Sequence, residues 1–130
     1  MADAKTTYLS NAMLNAVLRN VAFTSPATVY AGLHTAQANP EAGTVTEVVG
    51  GSYGRQAVTF GAPSSGISSN TADVVFAIAS APWGTIMGGG IYDAATVGNL
   101  LYYGTLAVAK VVNTNDQFKF LAGSITAQEQ

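Results

Sequence analysis

The sequence contains no cysteine and very little charge. Without cysteine the chain forms no disulfide and offers no thiolate as a nucleophile or metal ligand. Charged residues make up 9% of the chain, whereas they make up about 25% of an average soluble domain. Because a free monomer usually keeps a charged surface for solubility, we expect that much of this surface is covered in an assembly.

Basic clusters and long apolar runs are also missing. The five basic residues are scattered and the net charge is −2, so no basic stripe is present to neutralise phosphates. No stretch approaches the roughly 18 apolar residues of a membrane span, and the N-terminus, with Asp3 near Lys5, does not resemble a signal peptide. We therefore expect neither nucleic acid nor a membrane as a partner, and synthesis in the cytoplasm.

Residues with catalytic or metal-binding chemistry are few and isolated. His34 is the single histidine, without a carboxylate nearby in the sequence, and no acidic residue has calcium-loop spacing. One histidine without cysteine does not supply the usual zinc ligands. The sequence therefore predicts no catalytic residue, no metal and no cofactor. An enzyme would need distant acids such as Asp73 and Asp93 to meet in one cleft.

A glycine run occupies residues 88–90. It lacks the lysine and Ser/Thr of a phosphate-binding loop, and it lies inside a predicted strand. Glycines in a strand usually mark a bulge or a close approach of two backbones. We therefore interpret the run as structural.

Residues 7–20 show the spacing of one amphipathic helix, with Thr6 or Thr7 as its N-cap. The basic rim that is typical of a membrane-surface helix is missing. We interpret the segment as a helix that caps one end of a β core, and the alternative is a partner-binding helix. The predicted apolar face consists of Tyr8, Leu9, Ala12, Met13, Ala16, Val17 and Val21.

After Ser25-Pro26 the sequence consists of short β-branched and aromatic runs, separated by Gly, Pro, Asn and Ser clusters. This pattern predicts a mainly β fold, an antiparallel sandwich or jelly-roll-like barrel, in one domain covering residues 1–130. Residues 36–51 have weak periodicity, and we expect a long exposed loop there. The predicted strands are residues 28–34, 53–60, 72–78, 84–92, 100–106, 117–120 and 123–126.

Large apolar side chains in these elements should form the core. We expect it to consist largely of Leu9, Met13, Val17, Val29, Leu33, Val58, Phe60, Val75, Phe76, Trp83, Ile91, Leu101 and Phe118.

Three aromatic residues are candidates for an interface or for stacking against a sugar ring. Trp83 opens a predicted strand, where a large core side chain is the simpler interpretation. Neighbouring strand residues point to opposite faces of a sheet. One of Tyr102 and Tyr103 should therefore be exposed or lie at an interface.

Short blocks in a characteristic order cover nearly the whole chain: residues 8–9, 18–20, 28–33, 51–60, 69–72, 83–86, 90–94 and 98–104. Together they resemble the small virion proteins of tailed bacteriophages that are described as tail fibre or minor tail proteins. The sequence departs from that family at residues 87–89, where a larger residue is expected, and in the polar tail 128–130. These departures concern surfaces that would set the attachment site.

The resemblance implies a non-enzymatic virion structural protein, made in the host cytoplasm, with other virion proteins and copies of itself as partners. A trimer or ring on the outside of the particle is expected, as a tail fibre, a neck or tail appendage, or a capsid decoration. The alternative is a carbohydrate-binding module that attaches the particle to host-surface glycans through Trp83 or an exposed tyrosine.

Overall fold

The computed structural model describes residues 2–129, with side chains described from Ala4 onward. In this part of the chain one helix and ten strands are present, and the prediction of a mainly β, antiparallel sandwich with an N-terminal helix is confirmed. The elements are β1 (Ala2–Lys5), α1 (Thr7–Leu18), β2 (Val29–Asn39), a 3-10 turn (Pro40–Ala42), β3 (Thr44–Glu47), β4 (Gln56–Val58), β5 (Ile67–Ser69), β6 (Val74–Val75), β7 (Gly84–Tyr92), β8 (Leu100–Val112), β9 (Lys119–Phe120) and β10 (Thr126–Gln128).

The larger sheet has the strand order β3-β2-β7-β8-β1-β10-β5, and β4 pairs with β2 next to β3. Its pairs are antiparallel except for β1 and β10, which run parallel. The smaller sheet consists of β6 and β9. Phe120 of β9 faces the larger sheet across the core, since a Cβ on Gly89 of β7 would lie 3.7 Å from its ring.

An aromatic cluster fills the space between the two sheets. Phe76 contacts Tyr53, Phe118 and Phe120, with ring centroids 6.0 to 6.2 Å apart, and Trp83 meets Tyr53 edge to face at 5.4 Å. Of the predicted core, the buried residues are Leu9, Leu33, Val58, Phe76, Trp83, Ile91, Leu101 and Phe118. Core residues that the prediction missed include Ala31, Val48, Val74, Ile86, Val112, Phe120 and Ile125.

Two predicted core residues, Val17 and Val75, are exposed. Val74 and Phe76 point into the core. Val75 lies between them on an extended chain, so its side chain points outward. Val29 and Phe60 are only partly buried against the core.

Thr6 is the N-cap of helix α1: its hydroxyl accepts a hydrogen bond from the Leu9 backbone N–H (3.3 Å) and donates to the Leu100 carbonyl oxygen (2.7 Å). The helix ends at Leu18, two residues before the predicted end. The predicted apolar face is wrong, because Leu9 is the one buried residue of α1 and Tyr8 and Val17 are exposed. Apolar residues lie on more than one side of this helix, so their spacing did not identify the packed side.

The prediction of a long exposed loop over residues 36–51 is also wrong for residues 36–47. Strand β2 extends to Asn39, the chain reverses through the 3-10 turn, and β3 pairs back onto β2. The register shifts twice, between His34 and Ala36 and between Ala36 and Asn39. Such shifts break the apolar alternation, which explains the weak periodicity.

Residues 88–90 lie inside β7, as predicted, and the structure shows a close approach of backbones there. A Cβ on Gly89 would lie 2.6 Å from the Gly32 carbonyl oxygen of β2. A Cβ on Gly88 would clash with the Gly104 carbonyl oxygen of β8. The neighbouring strands therefore leave no room for a side chain at either position.

Candidate functional site

Trp83 lies at the entrance to β7 and is buried. Its indole Nε1 donates a hydrogen bond to the Gly51 carbonyl oxygen at 2.8 Å. Gly51 has a φ of +60°, and a Cβ there would lie 2.8 Å from Nε1. The ring is thus enclosed by its own chain and presents no open face to a sugar.

Tyr102 and Tyr103 line different clefts and are both partly buried. Tyr102 packs against the core, and its hydroxyl donates to Glu129 Oε1 at 2.9 Å. Tyr103 lines an open cleft of about 410 Å³ together with Gln37 and Pro40. Tyr102 is thus held by the core and by Glu129, which leaves Tyr103 as the candidate for a contact with a ligand.

His34 lies at the centre of a buried polar network that the sequence did not reveal. Its Nε2 is 2.7 Å from the Tyr92 hydroxyl, and its Nδ1 is 2.9 Å from Nε2 of Gln37. An amide nitrogen only donates, so Nδ1 accepts and the neutral ring donates its Nε2–H to Tyr92. Burial lowers the pKa of His34 to about 4, so the ring is neutral at pH 7.

Glu47 and Arg55 form the charged part of the same network. Arg55 Nε and Nη2 donate to the two carboxylate oxygens of Glu47, each at 2.8 Å, and the Tyr53 hydroxyl donates to Oε2 at 2.6 Å. Burial alone would raise the pKa of Glu47, but the hydrogen bonds from Arg55 and Tyr53 and the charge of Arg55 outweigh it and lower the pKa. Burial and then the hydrogen bond to Glu47 raise the pKa of Tyr53 far above its ordinary value.

Arg55 also holds the turn that follows β7. Its Nη1 donates to the carbonyl oxygens of Ala94 (2.9 Å) and Val97 (2.8 Å), and its guanidinium carbon lies 3.5 Å from the centre of the Tyr92 ring. The donors of Arg55 and the acceptors of Glu47 thus face other groups of the protein. Arg55 therefore links the end of β3 to the turn that follows β7.

Asp73 and Asp93 occupy different turns. Asp73 accepts from the Ala122 N–H at 2.8 Å, and Asp93 accepts from the Asn99 N–H at 2.7 Å. Across residues 4–129, whose side chains the structure describes, no group of three or more His, Asp or Glu side chains could hold a metal ion.

Helix α1 carries an exposed apolar stripe that we call the α1 stripe, formed by Leu14, Val17, Leu18 and Val21. Leu14, Val17 and Leu18 are spaced three and four residues apart and share one side of the helix, and Val21 follows in the turn after it. Val17 is 78% exposed and Leu18 is 74% exposed. The neighbouring polar residues are mainly asparagines, so the stripe is nearly free of charge.

A second apolar surface follows the last half of β8. Val108 and Val111 are 68% and 60% exposed, and Leu121 lines an open cleft of about 360 Å³ together with Val108. Monomeric proteins rarely leave contiguous apolar patches uncovered.

These features define a β-sheet protein that leaves apolar helix and strand surfaces open. A family model described as podophage GP4 fiber I protein gp80 matches residues 4–128. The chain therefore belongs to this family and is a phage virion structural protein of the tail fibre type. No curated protein matches the chain.

The family match bears on the earlier predictions in different ways. The resemblance to phage tail fibre proteins is confirmed, and the minor tail protein label stays a prediction. No helix within residues 2–129 is long and apolar enough to cross a membrane.

Proposed function

We propose that this protein is a non-enzymatic structural subunit that self-associates, as a trimer or ring, on the outside of a phage particle. Its place would be a tail fibre, a neck or tail appendage, or a capsid decoration, and its partners would be copies of itself and other virion proteins. The observation that carries the proposal is the exposed α1 stripe. Membership of a fibre protein family supports the virion setting.

The size of the α1 stripe limits what it contributes. Fully burying a Val or Leu side chain contributes about 1.5–3 kcal/mol, so four partly exposed residues contribute on the order of 4–8 kcal/mol. Association of two proteins costs about 4–15 kcal/mol in lost freedom of movement and ordering of side chains. The stripe therefore supports self-association only together with a second surface.

Charge contributes little to a contact through the α1 stripe. Arg19 is the only charged residue between Thr7 and Pro26. Its Nη1 donates a hydrogen bond to Asn15 Oδ1 at 3.2 Å. Apolar burial is strengthened by salt, whereas exposed ion pairs are screened by it. The assembly should therefore persist, or become tighter, at high ionic strength.

The test is the molar mass of the purified protein at several concentrations and two ionic strengths, measured by light scattering. We expect an oligomer in both, weakened by Val17→Lys and Leu18→Lys. Ala62→Lys adds the same charge at an exposed loop position and should leave the mass unchanged. A monomer throughout would overturn self-association, and gold-labelled antibody on intact particles would locate the subunit.

A carbohydrate-binding module is the second candidate, and the open cleft beside Tyr103 favours it. An aromatic ring next to the amide of Gln37 is the kind of surface that stacks against a sugar. Retention on host-surface polysaccharide that is lost in Tyr103→Ala would support this function. Equal retention of Tyr103→Ala and the parent would exclude Tyr103 as the stacking platform.

A further inference from the structure

Half of strand β8 has an open outer edge. On that side β1 pairs with β8 only at Tyr102 and Tyr103, and no strand in residues 2–129 is registered beside residues 105–112. The side chains there are largely exposed. An exposed edge presents unpaired N–H and C=O groups that are a template for another strand.

The same half of β8 is also loosely paired on its inner side. Thr105 pairs with Gly88 and Lys110 pairs with Ile86, so the four residues between them oppose Met87 alone. An insertion of this kind bends a strand away from its neighbour. It leaves the backbone of residues 106–109 available for pairing elsewhere.

Strand β3 is the opposite open edge of the same sheet, because it pairs only with β2 in the described part of the chain. Along the strand direction, the two open edges lie level with each other. Glu47 of β3 pairs with His34, His34 pairs with Gly88, and Gly88 pairs with Thr105 of β8. Three successive antiparallel pairings also make β3 and β8 run in opposite directions, as a new antiparallel pair requires.

An open groove lies between the second half of β8 and residues 116–124. Two adjoining clefts of about 360 and 340 Å³ form it, and both are lined by Lys110, Phe118 and Lys119. Phe118 and Phe120 are buried at its floor, and Val108 and Val111 project near its rim. The cleft of about 360 Å³ has a mainly apolar lining with Lys110 and Lys119, and the cleft of about 340 Å³ is also lined by Asp116 and Gln117.

The charges without partners are complementary across the two edges. Among side chains described from Ala4 onward, Glu41 is the one acid that forms neither a hydrogen bond nor an ion pair, and it lies in the turn that leads into β3. Lys110 and Lys119 are the corresponding cations, and both line the groove. The turn before β3 therefore carries one negative charge, and the clefts beside β8 carry two positive charges together with Asp116, whose Oδ2 accepts a hydrogen bond from the Asn113 N–H.

We infer that copies of this chain associate edge to edge, with β3 of one copy seated along the open half of β8 of the next. Because the two edges differ, the contact is head to tail, and such contacts close into a ring when the rotation between copies allows it. The backbone bonds supply the pairing, the apolar groove supplies burial, and Glu41 approaches Lys110 and Lys119. This inference rests on the proposed self-association and supplies the second surface that the α1 stripe requires.

Engineered disulfides test the pairing, since the chain has no cysteine of its own. Thr46→Cys is co-expressed with Lys110→Cys or with Val111→Cys. Residues 110 and 111 point to opposite faces of the sheet. Whichever register β3 adopts beside β8, one of the two cysteines therefore lies on the same face as the cysteine at position 46, as a disulfide requires. We expect a disulfide-linked dimer from one of these mixtures and none from a single variant alone. Thr46→Cys with Ala62→Cys is the control and should not cross-link.

Charge reversal provides a second readout. Glu41→Lys, and separately Lys110→Glu with Lys119→Glu, should each lower the association constant several-fold, and the triple variant should restore it. A variant that weakens association by misfolding would not be rescued by the opposite charge reversal. If the triple variant associates no better than the other two, the inference is overturned.

The outcomes separate this inference from the proposed function. A wild-type oligomer with a cross-link between β3 and β8 supports both. A wild-type oligomer without any cross-link overturns edge pairing and leaves self-association standing. A wild-type monomer at every concentration overturns both.

Discussion

Arg55 meets Glu47 side on, with Nε and Nη2 of the guanidinium each 2.8 Å from one of the two carboxylate oxygens. The Arg55 side chain is 8% exposed and that of Glu47 is 22% exposed, so water screens this pair far less than an exposed one. Through the same guanidinium, the turn after β7 is fastened to the end of β3.

Removing Arg55 should be strongly destabilising. Arg55→Ala leaves the Glu47 carboxylate without its counter-charge in a mostly buried position, and such a loss costs about 3–5 kcal/mol. Urea unfolding measures the change. Lys5→Ala is the matched control, because it breaks the exposed Lys5–Glu129 pair and should cost at most about 1 kcal/mol. Similar losses in the two variants would show that the buried network is not a special source of stability.

The protein should lose stability in mild acid through His34. Burial lowers the pKa of His34 to about 4, whereas the unfolded chain keeps the ordinary value of 6.5. Between these values the unfolded state binds the proton and the folded state does not. The free energy of unfolding should therefore fall by about 3 kcal/mol as the pH drops from about 6.5 to about 4.

Urea unfolding at pH 7, 5.5 and 4.5 checks this pH dependence, with His34→Gln as the control. The variant has no titrating ring at this position and should show a shallower decline over the same range. The lowered pKa of Glu47 adds a further loss at lower pH in both proteins. Parallel pH profiles for the two proteins would contradict the assignment to His34.

Gly89→Ala should destabilise the sheet even though its φ is not positive. The new Cβ would lie 2.6 Å from the Gly32 carbonyl oxygen, and relieving such a backbone clash costs about 1–3 kcal/mol. Gly54→Ala meets no atom within 4 Å and should be neutral or stabilising by up to about 1 kcal/mol. Thermal unfolding of the two variants compares their midpoints with that of the parent. A midpoint lowered only in Gly89→Ala would show that β7 needs a glycine there because the neighbouring strand leaves no space.

Trp83→Ala should cost about 3–5 kcal/mol, because a large side chain that fills the core is removed. Calorimetry or urea unfolding measures the loss. Val75→Ala is the control, since Val75 is exposed between two buried neighbours and should change the free energy of unfolding far less. A Trp83→Ala variant that unfolds like the parent would mean that the ring contributes no packing.

Regular alternation and turn residues made part of the fold predictable. Strand β7 was predicted with its observed bounds, Gly84–Tyr92, and β8 was predicted to start at Leu100 but extends to Val112. Strands β1, β3 and β5 were missed, because they are only three or four residues long. Strands β1 and β5 also depend on pairing with distant segments, and β3 pairs with the preceding β2 in a shifted register. Propensity carries little information about such strands.

The polar network was beyond the reach of the sequence for a similar reason. His34 and Tyr92 are 58 residues apart, and only the pairing of β2 with β7 brings them together. Glu47 was assigned to an exposed loop, so its pairing with Arg55 could not be anticipated. The low charge predicts a surface that is covered in an assembly, and this stays a prediction; it carries no information about which strand edges stay open.

The parallel pairing of β1 with β10 joins the beginning of the chain to its end, with Ala2 opposite Thr126 and Asp3 opposite Ala127. Tension applied through the chain on either side of this pair pulls the two strands in opposite directions along their length. Their hydrogen bonds are then loaded together in shear, instead of being opened one by one as in a hairpin pulled from its ends. A subunit connected at both ends would in this way resist mechanical extension with the strands that close its own fold.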